Sequence, residues 1–68
     1  MYEVNMLIIG WRAGVNATGA VRAIQKHTSL SLAESKKIVD DVIDGKSYKL
    51  PNDFILREDL EECKFIIQ

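Results

Sequence analysis

The sequence predicts an α+β fold, a small two-layer β-α-α-β-α-β sandwich whose sheet is covered on one face by helices. Three observations carry that expectation. Tyr2 to Ile9 alternates apolar and polar residues at its start. Ser31 with Glu34 three residues later opens a segment with helical periodicity. Two short β-prone stretches, Tyr48 to Leu50 and Phe65 to Gln68, bracket a third helical segment. Strand, helix, helix, strand, helix, strand is the order of a small sheet packed against helices.

The first strand rests on Tyr2, Val4, Met6 and Ile8 alternating with Glu3, Asn5, Leu7 and Ile9. Leu7 and Ile9 turn the second face apolar, so this end of the strand is expected to be buried on both sides. Gly10 to Asn16 is expected to be a loop, with glycines at 10 and 14 and with Trp11 and Arg12 in it. Trp11 beside Arg12 is open to two readings: an exposed anchor for a partner, or a ring folded back to close the small core.

Asn16 and Thr18 are both able to cap a helix running to about His27. At about 100° per residue, Ala17, Ala20, Val21, Ile24 and Thr28 share one face, while Thr18, Gly19, Arg22, Gln25 and Lys26 point away. Gly19 inside a helix costs about 1 kcal/mol relative to alanine, which suits a close approach by a neighbour or partner. The second helix follows Ser31, with Leu32, Ser35, Ile38, Val39, Val42 and Ile43 as its buried stripe and Gly45 as its stop. Lys36 with Asp40, and Lys37 with Asp41, are i,i+4 pairs in the less favourable order. Pro51 ends the second strand, and Asn52 or Asp53 caps a third helix reaching about Cys63, with Leu56, Leu60 and Cys63 inward. The alternative is a hairpin turn at Pro51-Asn52 that pairs Ser47 to Leu50 with Phe54 to Leu56.

The 68 residues, 47% hydrophobic and 28% charged, suit one folded domain spanning 1–68 with no linker or repeat. At this size the core supplies only about 3 to 5 kcal/mol, so a homodimer is an option. Cys63 is the single cysteine, which excludes an intrachain disulfide and suits a reducing compartment. The longest apolar runs fall far short of the roughly 18 to 20 residues of a membrane span, and the N-terminus lacks a secretory pattern, so the cytoplasm is the expected location. Charge is uneven: from Arg12 to Lys37 the bases Arg12, Arg22, Lys26, Lys36 and Lys37 face Glu34 alone, while acids outnumber bases from Asp40 onward. That dipolar pattern suits orientation of a protein partner and argues against nucleic acid, which asks for a dominant basic patch.

Enzymatic constellations are poor. His27 is the lone histidine, no zinc or EF-hand spacing occurs, and neither a metal nor another cofactor is expected. His27 is expected to end the first helix, its imidazole complementing the carbonyl end. Cys63 with His27 forms a nucleophile and base only on paper, since a lone inward cysteine is usually a small core residue. Glu58, Asp59, Glu61 and Glu62 are most simply a solvated helix face.

The segment from Val21 to Asp40, VRAIQKHTSLSLAESKKIVD, resembles the helix-turn-helix portion of the C-terminal domain of the bacterial ribosomal stalk protein. Thr28, Leu30, Leu32, Glu34, Ser35, Lys36, Ile38, Val39 and Asp40 fit that family's residue classes. Gly14 and Asn16 match its preceding loop, and Leu60-Glu61-Glu62-Cys63 is similar to the end of its last helix. The resemblance implies a non-catalytic domain that recruits translational GTPases through the exposed surface of its first two helices. Carried over, that surface comprises Gly14, Asn16, Thr18, Gly19, Val21, Arg22 and Lys36. Lys26 joins them because its charge lies on the same side. Ala17 and Gln25 stand where the family has basic residues, and its N-terminal dimerisation segment and hinge have no counterpart in these 68 residues. An isolated, reused domain is therefore expected, with a translational GTPase or another gene-expression factor as partner. Two other classes stay open: a small inhibitor or immunity-type regulator, and a thiol enzyme.

Overall fold

A computed structural model describes residues 5–68. The chain runs β1 (Asn5–Trp11), α1 (Ala17–His27), α2 (Leu32–Ile43), β2 (Tyr48–Pro51), α3 (Phe54–Glu62) and β3 (Phe65–Ile67). This is the expected α+β element order. The part of the expected first strand formed by Tyr2, Glu3 and Val4 lies outside the described residues.

β1 is the central strand of the sheet, whose order is β2-β1-β3, and it pairs antiparallel with both neighbours. Met6 faces Leu50 and Ile8 faces Ile67. β1 does not stop at Ile9 as expected but continues through Trp11, because β3 extends the ladder there: Gly10 pairs with Ile66 and Trp11 with Phe65, past a bulge between Ile8 and Gly10. The hairpin alternative for Phe54 to Leu56 is excluded, since these residues open α3.

Each helix starts on a side-chain cap. Asn16, not Thr18, caps α1 by accepting the Gly19 N–H at 3.0 Å. At α2 the Glu34 N–H donates to Ser31 Oγ at 3.1 Å, and the Ser31 N–H donates back to Glu34 Oε1 at 3.3 Å, the reciprocal box that the sequence announces. Asp53 Oδ1 accepts from the Ile55 and Leu56 amides at 2.9 and 3.1 Å. α2 ends in a Schellman motif: Gly45 takes φ +98°, its N–H donates to the Val42 carbonyl, and the Lys46 N–H donates to the Asp41 carbonyl.

The core joins Met6, Ile8, Leu50 and Phe65 of the sheet to Ala20, Ala23 and Ile24 of α1, Ile38, Val39 and Val42 of α2, and Leu56 and Leu60 of α3. α2 packs on β1 and β2, α3 on β3, and α1 against both other helices. The buried stripe of α2 is narrower than expected. Leu32 is 58% exposed and Ile43 only half-buried, because the first residue of the helix overhangs the core and the last sits at its margin. Ile9 is 42% exposed and Leu7 half-buried, so β1 is not covered on both sides: every helix lies on the face of Met6 and Ile8. Of the two ion pairs expected along α2, Lys37 with Asp41 forms, at 3.4 Å. No helix among the described residues is long and apolar enough to cross a membrane.

Ser35 is wholly buried on α2, and its hydroxyl has no hydrogen-bond partner among the described residues. A desolvated, unpaired hydroxyl costs about 1 to 3 kcal/mol. Ser35→Ala removes that oxygen and leaves a better helix former, so thermal unfolding should show a midpoint raised by about 4 to 8 °C for each kcal/mol gained. A lowered midpoint would mean that the hydroxyl is satisfied.

Candidate protein-binding surface

The first half of this surface is built by a clip between two distant turns. The Asn16 N–H donates to the Cys63 carbonyl at 2.9 Å, and the Arg12 N–H donates to the Lys64 carbonyl at 2.8 Å. Lys64 holds φ +72°, a left-handed conformation that costs a non-glycine residue about 1 to 2 kcal/mol. It closes α3 through its own N–H, which donates to the Glu61 carbonyl. The β1–α1 loop is thereby tied to the end of α3. Gly14, at φ +87° with open space around it, makes the sharp bend between the two bonds.

Gly19 then sits where α1 meets α3. A Cβ there would lie 2.6 Å from Asn16 Nδ2 and 3.0 Å from Cys63 Sγ. Gly19 thus does not simply point away from the protein, as the helical wheel places it: it is half-buried, and the close approach that a helical glycine suggests is made by the N-cap and by Cys63. Two turns later His27 Nε2 lies 3.0 Å from Asp59 Oδ2. His27 ends α1 as expected, a basic residue in its last turn, and its ring also bridges to α3, while Thr28 Oγ1 donates to the Ile24 carbonyl at 2.6 Å.

Arg22 and Lys26 are exposed on α1 and make no ion pair among the described residues. With Gly19 and Ala23 they line one side of a shallow groove whose other side is Asp59, Glu62 and Cys63. The groove therefore has a basic wall on α1 and an acidic wall on α3, over a floor of small residues. Thr18 is exposed beside it. Val21 turns half inward against the core, and Lys36 is exposed on α2, outside the groove. The structure thus gathers Asn16, Gly19, Arg22 and Lys26 at one helix junction and leaves Lys36 on the neighbouring helix. Asp59 and Glu62 are not merely a solvated face; the i,i+3 spacing of Asp59 with Glu62 and the i,i+4 spacing of Asp59 with Cys63 were the available signal that they share a side.

The Cys63 thiol is pushed above the ordinary thiol range, first by burial and then by the charges of Asp59 and Glu62. It stays protonated at neutral pH, the opposite of what a thiolate nucleophile requires. Among the described residues, no group of three or more His, Cys, Asp and Glu side chains is placed to hold a metal ion. Trp11 partly folds back: its Nε1–H donates to the Ile43 carbonyl at the end of α2 at 3.1 Å, while 44% of the residue stays exposed. No protein-family model, curated protein or solved structure matches the chain.

The contact at Gly19 reverses the usual effect of alanine in a helix. Propensity alone would favour Gly19→Ala by about 1 kcal/mol, but the added methyl displaces the cap, worth about 1 kcal/mol, and overpacks the Cys63 contact by about 1 to 3 kcal/mol. Urea unfolding should show a net loss of about 1 to 3 kcal/mol. A gain would show that Asn16 and Cys63 yield freely.

Proposed function

We propose that this chain is a non-catalytic protein-binding module, similar in role to the factor-recruiting domain of the ribosomal stalk, that engages a protein partner through α1 and α2. The observation that supports it best is the pair Arg22 and Lys26: two exposed bases without an ion-pair partner among the described residues, on a helix held on its other sides by the core and by the α3 junction. Such a helix presents charge in a fixed geometry, which favours orientation of an acidic partner surface over stability of the domain itself. Lys36 extends the basic surface to α2. A cytoplasmic translational GTPase or another gene-expression factor fits this reading, and no cofactor enters it.

The mixed charge of the groove favours one second reading, a small inhibitor or immunity-type regulator of an unrelated enzyme. Asp59 and Glu62 opposite Arg22 and Lys26 would select a partner segment carrying both signs. The thiol-enzyme reading is less favoured, since burial and the charges of Asp59 and Glu62 push the Cys63 thiol away from the thiolate form.

Affinity capture with the wild-type chain and with Arg22→Glu/Lys36→Glu tests the surface. Exposed charges contribute about 0 to 1 kcal/mol to stability, so the double variant should unfold near the wild-type temperature. Across an interface the reversal places like charges together and should weaken capture by several kcal/mol, roughly a hundredfold or more. Recovered GTPases or ribosomes support the first reading and a single unrelated enzyme the second. Undiminished capture by the folded double variant would remove α1 and α2 as the binding surface.

A further inference from the structure

The groove between α1 and α3 carries charges that the fold itself does not use. Arg22 and Lys26 form one wall and Asp59 and Glu62 the other, yet among the described residues no ion pair joins the two walls. Only Asp59 is engaged, by His27 at 3.0 Å. Stability does not explain the acidic wall either. Both acids fall in the last turn of α3, where no base offsets the partial negative charge of the carbonyl end. Their field reaches the floor of the groove, where burial first and then these two charges raise the Cys63 thiol.

We propose that this groove receives an amphipathic helix of a protein partner, with small apolar residues on the floor, acids along its α1 side and bases along its α3 side. Such a site rests on the protein-binding role common to both readings above and narrows it to one partner chemistry. Charge complementarity sets the flanks. Arg22 and Lys26 lie four residues apart on α1, and acids four residues apart on a second helix recur at the same spacing of about 6 Å. Gly19 to Lys26 covers about two turns, roughly 10 Å, so both walls can be met at once.

The walls also set the secondary structure of the occupant. Both are helices whose backbone groups bond within the helix, so an extended segment would find no backbone partner in the groove, whereas a helix satisfies its own amides. Turning that helix end for end exchanges its flanks, so both walls are matched in one direction only. The groove therefore selects orientation as well as charge.

Fluorescence anisotropy on the full chain with two synthetic helical peptides of about 20 residues tests the groove. Both carry an alanine stripe and equal numbers of Glu and Lys; one segregates the signs on opposite flanks, the other mixes them on each flank. At an ionic strength of about 20 mM the segregated peptide should bind at least about tenfold more tightly. Glu62→Lys should erase that preference by weakening the segregated peptide at least about tenfold. The new ammonium suits the carbonyl end of α3, so the fold should be kept, and Glu62→Gln replaces it if circular dichroism shows otherwise. Lys36→Glu, outside the groove, should leave peptide binding unchanged. Equal binding of the two peptides, no binding of the segregated peptide up to about 1 mM, or undiminished binding by a folded Glu62 variant would each overturn the groove. A partner captured through Arg22 and Lys36 but indifferent to Glu62→Lys would overturn it too, and would leave the broader α1 and α2 surface standing.

Discussion

The structure depends on two carbonyl groups in one turn. Those of Cys63 and Lys64 accept the Asn16 and Arg12 amides, continuing the β1 to β3 ladder beyond its last paired residues, Trp11 and Phe65. At the other end the Gln68 amide donates to the Leu7 carbonyl. The two segments thus stay bonded over their whole length. The left-handed backbone at Lys64 aims both carbonyls, so its strain is balanced by the hydrogen bonds and packing that it permits.

From that turn the placement of α1 against α3 follows. Asn16 gives its backbone N–H to Cys63 and its side chain to Gly19, so one residue fixes both where α1 begins and what it begins against. The missing side chain at Gly19 admits the Cys63 sulfur, and His27 meets Asp59 near the other end. The two helices therefore run in opposite senses, and the charged groove between them is a consequence of that pairing. Arg22 and Lys26 are not needed to hold α1 in place, and they make no ion pair among the described residues.

What was legible in the sequence was what short-range chemistry determines. Ser31 with Glu34, Gly45, and Asp53 before an apolar helix each act within a few residues, and each sits where the pattern places it. The extent of β1 was not, because Trp11 is strand only by pairing with Phe65 far along the chain. Leu32 was assigned to the core by its spacing, but spacing does not say where the underlying layer ends. The candidate surface shows the same division. The cost of a helical glycine announced a close neighbour at position 19, while the identity of that neighbour, Cys63, required the tertiary fold. Asp59 and Glu62 were visible as acids but not as the wall opposite Arg22, since nothing local joins α1 to α3.

Amide hydrogen exchange resolved by residue examines the clip most directly. Arg12 and Asn16 are both exposed residues outside any helix or strand, and their amides are held by the clip. With the Cys63 and Lys64 carbonyls accepting them, both should exchange only on global unfolding, as slowly as amides at the centre of β1. Exchange at loop rates while β1 remains protected would contradict the clip as the constraint that sets α1 against α3.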